Sequence, residues 1–527
     1  MKVLFSTILY VIILCSNISA QGWSKSYEIY PAYEGTMRHS IINDTIYLKS
    51  TCLCYNDDEC SFISKYDTSG NYIESVEFHK LKRGIQMGYD SDVLNVGNFL
   101  FTTGDDSWDN DTLNRETQHI YKISRSLDSF ERIHIPVPDS NVQYGSNILY
   151  FEKSKLIVTM AIKLNPKGLI KNIININAIN ENNEVVWYYD YKIPDPNYKI
   201  TDVGEIVKNS DSSLIASMRI GGSYIQYFSM NTKGKLLWEY TEKTYVDPLI
   251  GDPSTYKPMI AQADGTDIVR AWFWDNNGIN ANLEVSKISN IGIKKWQVKS
   301  YERYYNDSLR TPDKKIWQLI KTKNGDYVGV GGCIYTDYRK DVFHPLDYTA
   351  GYAIRIDNNG NLKWERYFID VPKQKYGEQS FYNVAEGDDG SIYMSGILDD
   401  SIPNKPGSKL NGNIWLVKVG PDGCITPGCN DTLVEVSTKK ILNQHAELLN
   451  VYPNPGSNQV NISWKNTPSI PLKLEIRSLS GQLIQSEKIQ AIGNSSTLNV
   501  SHIQSGLYLL TLHGRDWQSM PVKWVKL

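Results

Sequence analysis

One pattern, repeated down most of the chain, limits what it can fold into. Two strand-like runs are joined by a tight turn, and an aromatic follows four residues after the turn glycine. The clearest copy runs from Gly351 to Phe368. There Tyr352, Ile354 and Ile356 alternate with Ala353 and Arg355, the period of two expected of a strand with one buried face. Asn358, Asn359, Gly360 and Asn361 offer residues that tolerate positive φ, as a hairpin turn matched to strand twist requires. Leu362, Trp364 and Tyr367 carry the return strand.

The same spacing of four joins Asn183 to Trp187, Gly234 to Trp238 and Gly292 to Trp296, and Ser126 to Phe130 fits with Phe in the tryptophan slot. An earlier copy, Phe62 to Phe78, keeps the turn Ser69-Gly70-Asn71 but has Glu74 where the aromatic belongs. A last copy, Ile414 to Gly423, keeps the first strand and turn and then enters a cysteine loop. The aromatics at 130, 187, 238, 296 and 364 recur every 51 to 68 residues, the period of propeller blades of about four strands rather than of helical solenoids. Seven copies therefore predict an all-β chain with a seven-bladed β-propeller over 21–429.

A propeller ring must close, and the last copy lacks a return strand because Pro427 and Gly428 disfavour one. Trp23 to Glu28 resembles Trp364 to Tyr367, so Trp23 to Tyr30 is the expected outer strand of the seventh blade. Such a clasp ties the chain ends together and removes an open edge. The recurring tryptophans are expected to pack between blades, each contributing about 2 to 3 kcal/mol by burial.

The N-terminus indicates export. Lys2, the apolar run Val3 to Cys15 and the ending Asn17-Ile18-Ser19-Ala20 read as a signal peptide over 1–20, too short to span a membrane. No later stretch approaches ~18 uninterrupted apolar residues, so no membrane span is expected in the mature chain. A net charge of -3 argues against a nucleic-acid partner. Of seven cysteines, Cys15 lies in the signal. The remaining six suit an oxidising compartment, with Cys424 and Cys429 a candidate disulfide at the end of the ring.

Residues 430–449 are polar and irregular, in the manner of a linker. In 450–527, Val460, Ile462 and Trp464 alternate, as do Leu472, Leu474 and Ile476, and Tyr508, Leu510 and Leu512, which predicts a small Ig-like β-sandwich. Within this region come Tyr452-Pro453-Asn454-Pro455, Leu474 to Ile484 with Gly481, Gly506 with Tyr508, and Lys523-Trp524-Val525-Lys526-Leu527. Together these resemble the type A C-terminal sorting domain of the type IX secretion system of Bacteroidota. The resemblance implies a β-sandwich read by the outer-membrane translocon, with sorting determinants at Tyr452, Pro453, Asn454, Pro455, Gly481, Gly506, Tyr508, Lys523 and Lys526. It also implies Sec export followed by release from the cell or display on its surface.

Chemistry is sparse in the sequence. Gly-x-Ser-x-Gly, His-Glu-x-x-His and Gly-x-x-x-x-Gly-Lys are all missing, and the eight histidines are scattered. Catalytic and cofactor residues are therefore expected to be none. Gly329-Val330-Gly331-Gly332 reads as close strand packing. Asp105, Asp106, Asp109 and Asp111 surround Trp108 and are weak candidates for calcium, which takes six to eight oxygens. Sialidase-type repeats place Asp two before the turn glycine and Trp three after it. Here the separations are three and four, which counts against a glycosidase of that kind. The expectation is a secreted or surface-held, non-catalytic binding or adhesion protein with an extracellular protein or glycan ligand. The alternatives are a hydrolase or lyase with its site in the propeller funnel, and a purely structural surface component.

Overall fold

The computed structural model describes residues 22–527 except 29–33, 54–58, 82–92, 106–117, 136–141, 165–169, 194–199, 222–223, 244–258, 262–265, 276–280, 301–303, 306–308, 338–345, 371–378, 400–411, 430–431, 437–438, 445–448, 465–471, 480–481, 490–494, 514–516 and 520. The signal-peptide reading of 1–20 lies outside them. The described residues are all β, and among them no helix is long and apolar enough to cross a membrane.

Seven sets of four antiparallel strands follow one another in the described chain: 34–81, 94–134, 142–192, 200–243, 259–300, 309–370, and 379–419 together with Trp23–Glu28. Each first strand lies beside the next: Glu34–Ile42, Leu94–Val96, Val142–Phe151, Ile200–Ser210, Met259–Ala261, Leu309–Lys321 and Gln379–Glu386. The seventh returns to lie beside the first. In set 7 the fourth strand is Trp23–Glu28, antiparallel to Gly412–Val419 with Trp23 opposite Lys418 and Tyr27 opposite Ile414.

The recurring turn has a simple mechanism. In set 6 the Asp357 carboxylate accepts the backbone N–H groups of Asn359 and Asn361, at 2.9 and 2.8 Å, and Gly360 alone takes the left-handed conformation, φ 87°. The asparagines were expected to share that conformation and do not. Their role passes to the capping residue three before the left-handed one, a position filled by Asp67, Asn231 and Ser289 before glycines and by Asn180 before Asn183, φ 66°, in other sets. Asx and Ser side chains suit it because they bond their own backbone two residues on.

Strand register also defines the aromatic slot, which lies opposite the residue two before the cap. Trp187 faces Ala178, Trp238 Ser229, Trp296 Lys287, Trp364 Arg355 and Trp23 Lys418. From four of these slots the indole Nε1 donates to a carbonyl in the turn of the following set: Trp187 to Thr232, Trp296 to Asn358, Trp364 to Pro421 and Trp23 to Thr68. The ring itself lies flat against that turn's glycine.

In set 2 the alignment on Ser126 and Phe130 is corrected. The turn is one residue longer and has Leu127 at positive φ, so Glu131 faces Lys122 in the slot while Phe130 is 48% exposed. Sets 1 and 2 thus carry Glu74 and Glu131 where the others carry tryptophan.

Past Gly423 the chain again departs from expectation. Residues 430–449, read as irregular, contain two strands: Leu433–Val436, parallel to the outer strand of set 6, and Lys439–Gln444, parallel to Trp23–Glu28. The outer edges of sets 6 and 7 recruit these short segments through backbone pairing, and Val436 also adds a buried side chain to the core. The last residues form two sheets around one core containing Val460, Ile462, Leu474, Ile476, Leu510 and Trp524.

Candidate functional site

Near the end bearing the short turns, four of the sets line a common cavity of about 410 Å³: Leu149 of set 3, Glu205 to Lys208 of set 4, Gln318 to Lys321 and Lys323 of set 6, and Val384 to Glu386 of set 7. Aliphatic side chains form part of the wall and charged ones are set among them.

Three ion pairs hold charges here. Arg38, on the first strand of set 1, reaches Glu205 of set 4 with Nη2 3.2 Å from Oε1, and both side chains are nearly buried. A pair that joins set 1 to set 4 bridges the ring's interior, and it balances the carboxylate facing the cavity. Glu386 accepts the backbone N–H of Lys323 at 2.6 Å, and the Lys323 ammonium rests 2.5 Å from Asp388. Lys208 sits 3.3 Å from Asp211 and lies over the Phe151 ring. Gln318 Oε1 accepts the N–H of Val384, tying set 6 to set 7 across the cavity wall.

Beside Arg38, His39 is buried at the junction of sets 1 and 7. Its N–H donates to Asn383 Oδ1 at 3.0 Å and its Nδ1 lies 2.8 Å from Ser395 Oγ. Burial, reinforced by the Arg38 charge, lowers its pKa from 6.5 to about 3. A histidine whose folded pKa lies below its unfolded value binds protons better when unfolded. Its contribution is complete above pH 6.5 and is lost as pH falls toward 3. Urea unfolding at pH 7 and pH 4.5 should therefore show about 2 to 3 kcal/mol more acid loss in the native protein than in His39→Gln, at ~1.4 kcal/mol per unit. Equal losses in the two proteins would remove this role for His39.

The residues singled out from sequence are distributed differently. Asp105 ends the strand Phe99–Asp105, and Asp106, Asp109 and Asp111 lie outside the described residues. Among the described residues no group of three His, Cys, Asp or Glu is placed to hold a metal. Cys424 and Cys429 form a disulfide with Cα atoms 5.7 Å apart. Gly329, Gly331 and Gly332 lie in a second strand pressed against Ile316, the Lys315 carbonyl and Ser380 respectively.

The sorting-type residues from the two ends of the tail come together. Pro453 O accepts Trp524 Nε1 at 3.0 Å, and the Asn454 amide brackets Lys523 O at 2.8 Å and Val525 N at 2.9 Å. Tyr508 faces Trp524 across the terminal hairpin and Gly506 pairs with Lys526, while Gly481 lies outside the described residues. Arg38, His39 and Glu205 were missed in the sequence. The only signal is charge in the middle of strands whose neighbours are apolar.

Residues 450–526 match the family model of the secretion system C-terminal sorting domain. No curated protein matches the sequence. Among solved structures the chain is similar to a polysaccharide lyase described as an ulvan lyase, with 10% identity, 76% of this chain and 97% of that one covered, and a TM-score of 0.39. It is also similar to the periplasmic gluconolactonase of Pseudomonas aeruginosa, at 9% identity, 64% and 88% coverage and TM-score 0.35. A third is the exo-β-1,3-galactanase of Clostridium thermocellum, at 11% identity, 82% and 98% coverage and TM-score 0.31. Scores this low carry no argument about activity. The sorting domain does establish the route: the chain is exported by type IX secretion to the cell surface or the extracellular space.

Proposed function

We propose that the seven strand sets are the blades of a seven-bladed β-propeller, that residues 450–527 form an Ig-like sandwich carrying the sorting determinants, and that the propeller is a non-catalytic binding protein for an extracellular protein or glycan. Tyr452 to Pro455, Gly506, Tyr508, Lys523 and Lys526 supply the determinants in this reading, with the type IX translocon as their partner. The observation that supports binding over catalysis is the pairing of Arg38 with Glu205. A cavity carboxylate neutralised by a guanidinium is a recognition group rather than an acid or base in search of a proton.

The cavity at the turn face, with lysines and glutamates set among aliphatic walls, is the proposed contact surface. The experiment is a screen of the secreted chain against glycan and protein arrays, followed by titration of any ligand against Lys321→Glu. Lys321 lines the cavity, and its reversal is expected to weaken binding about tenfold or more, a cost of ~1.4 kcal/mol, with the unfolding midpoint measured alongside so that lost stability is told apart from lost contact. A ligand unaffected by the change would place the contact surface elsewhere. Turnover of a polysaccharide by the same preparation would favour the hydrolase or lyase reading.

A further inference from the structure

The C-terminal domain does more than follow the ring. The strand Lys439–Gln444 pairs in parallel with Trp23–Glu28 on one side and with Trp517–Ser519 of the terminal domain on the other. Arg477 Nη1 lies 2.8 Å from Asp67 Oδ2 of set 1, both side chains being largely buried. Lys523 Nζ lies 3.2 Å from Glu74 Oε2, and Lys65 Nζ donates to Leu479 O at 3.3 Å.

These contacts fall on the turn that receives the strand closing the ring. Asp67 caps that turn by accepting the N–H groups of Ser69 and Asn71. Onto the same turn the closing strand places Trp23 Nε1, 3.1 Å from Thr68 O, Lys25 Nζ, 2.6 Å from Ser69 O, and the Tyr27 hydroxyl, which donates to Gly70 O. The departure of sets 1 and 2 from the tryptophan rule adds a second line. Glu131 in the slot of set 2 reaches Asn183 in the next turn, as the tryptophans reach theirs, whereas Glu74 in the slot of set 1 reaches Lys523 of the terminal domain.

We infer that the sorting domain also serves as an intramolecular clamp on ring closure. It docks on an edge of set 1 that carries Asp67 and Glu74, the latter also 3.6 Å from Lys65 of its own set, and it extends the closing strand through Lys439–Gln444. Arg477, which also pairs with Glu475 of its own domain, and Lys523 reach these two carboxylates. While docked, the domain holds the first turn and the N-terminal strand together. Once it is detached, Trp23–Glu28 keeps its pairing with Gly412–Val419 and Lys439–Gln444, while the first turn beneath it loses its outer support.

The test uses the full secreted chain with a protease site inserted between Gln444 and Leu449. After cutting at low salt, the terminal domain should co-elute with the ring at micromolar concentration. It should leave at about 1 M salt, where the Debye length is ~3 Å. On its departure, amide exchange of 23–28 should rise about tenfold or more, as expected when a local opening becomes easier. In the uncut chain, Arg477→Ala with Lys523→Ala should produce the same rise in 23–28 while exchange in Gln459–Trp464 stays unchanged. A domain that leaves at low salt, or leaves without altering exchange in 23–28, overturns the clamp. If the double variant also disturbs Gln459–Trp464, the cut native chain decides between the outcomes.

Discussion

Trp364→Ala is expected to lower the stability of the ring by about 3 to 5 kcal/mol, the range for deleting a large buried aromatic. Trp364 is 7% exposed, its ring lies on Gly423 of the following set, and its Nε1 donates to Pro421 O at 2.9 Å. That carbonyl also accepts Arg355 Nη1 at 2.9 Å, so removal of the indole leaves it satisfied and the loss is chiefly one of packing. Trp364→Phe, which keeps most of the apolar contact, should therefore cost only about 1 to 2 kcal/mol. Denaturant titrations of the three proteins check the order. An alanine variant with the native midpoint would show that these contacts do not hold the sets together.

Gly331→Ala is expected to cost at least about 3 kcal/mol, because a methyl group there meets backbone rather than a side chain that can swing away. A Cβ on Gly331 would overlap the carbonyl oxygen of Lys315 and stand 2.9 Å from Ile316 Cα. The neighbouring first strand bulges at this point, its register shifting between Ile316 and Gln318, and the bulge thrusts the carbonyl toward the second strand. Gly396 of set 7 occupies the equivalent place beside the bulge between Phe381 and Asn383, where a Cβ would overlap Ser380 O. Glycine is therefore a steric requirement at both positions. The measurement is soluble yield together with the urea midpoint. An alanine variant within 1 kcal/mol of the native protein would mean that the bulge relaxes freely.

Gly331 also illustrates what the sequence makes readable. Glycines within an apolar strand pattern signal close backbone approach, and the signal can be read without knowing what approaches. The period-two runs, the turn residues and the spacing to tryptophan were likewise readable, because they express local conformational preference and the sidedness of a strand. Register was harder to read. Ser126 and Phe130 satisfied the spacing, yet one additional turn residue moved Glu131 into the slot and left Phe130 facing water. The strands in 433–436 and 439–444 escaped detection because runs of four and six residues are too short for a period to show, and a sequence does not announce a free sheet edge nearby.

A funnel follows from the repeats, but the charge pairs of the cavity were not readable. Nothing in the sequence near Arg38 announces Glu205, since 167 positions separate them and the pair exists only because the first strands of sets 1 and 4 face a common interior. The same holds for Arg477 and Asp67, 410 positions apart. The motifs at the two ends of the sorting domain form an intermediate case. Their order along the chain identified the domain, but only the fold puts Asn454 between Lys523 and Val525.

By itself, then, the sequence determined the elements and the destination: strands of alternating character, a capped turn that recurs, and a terminal domain of the sorting type. These depend on residues within a few positions of one another, where backbone sterics and side-chain alternation act directly. The tertiary structure alone decided which turn each tryptophan covers, how the cavity's charges are balanced, and where the terminal domain docks. Those are relations between residues from 45 to 410 positions apart, and they come into being only when the strand sets pack and bring them within bonding distance.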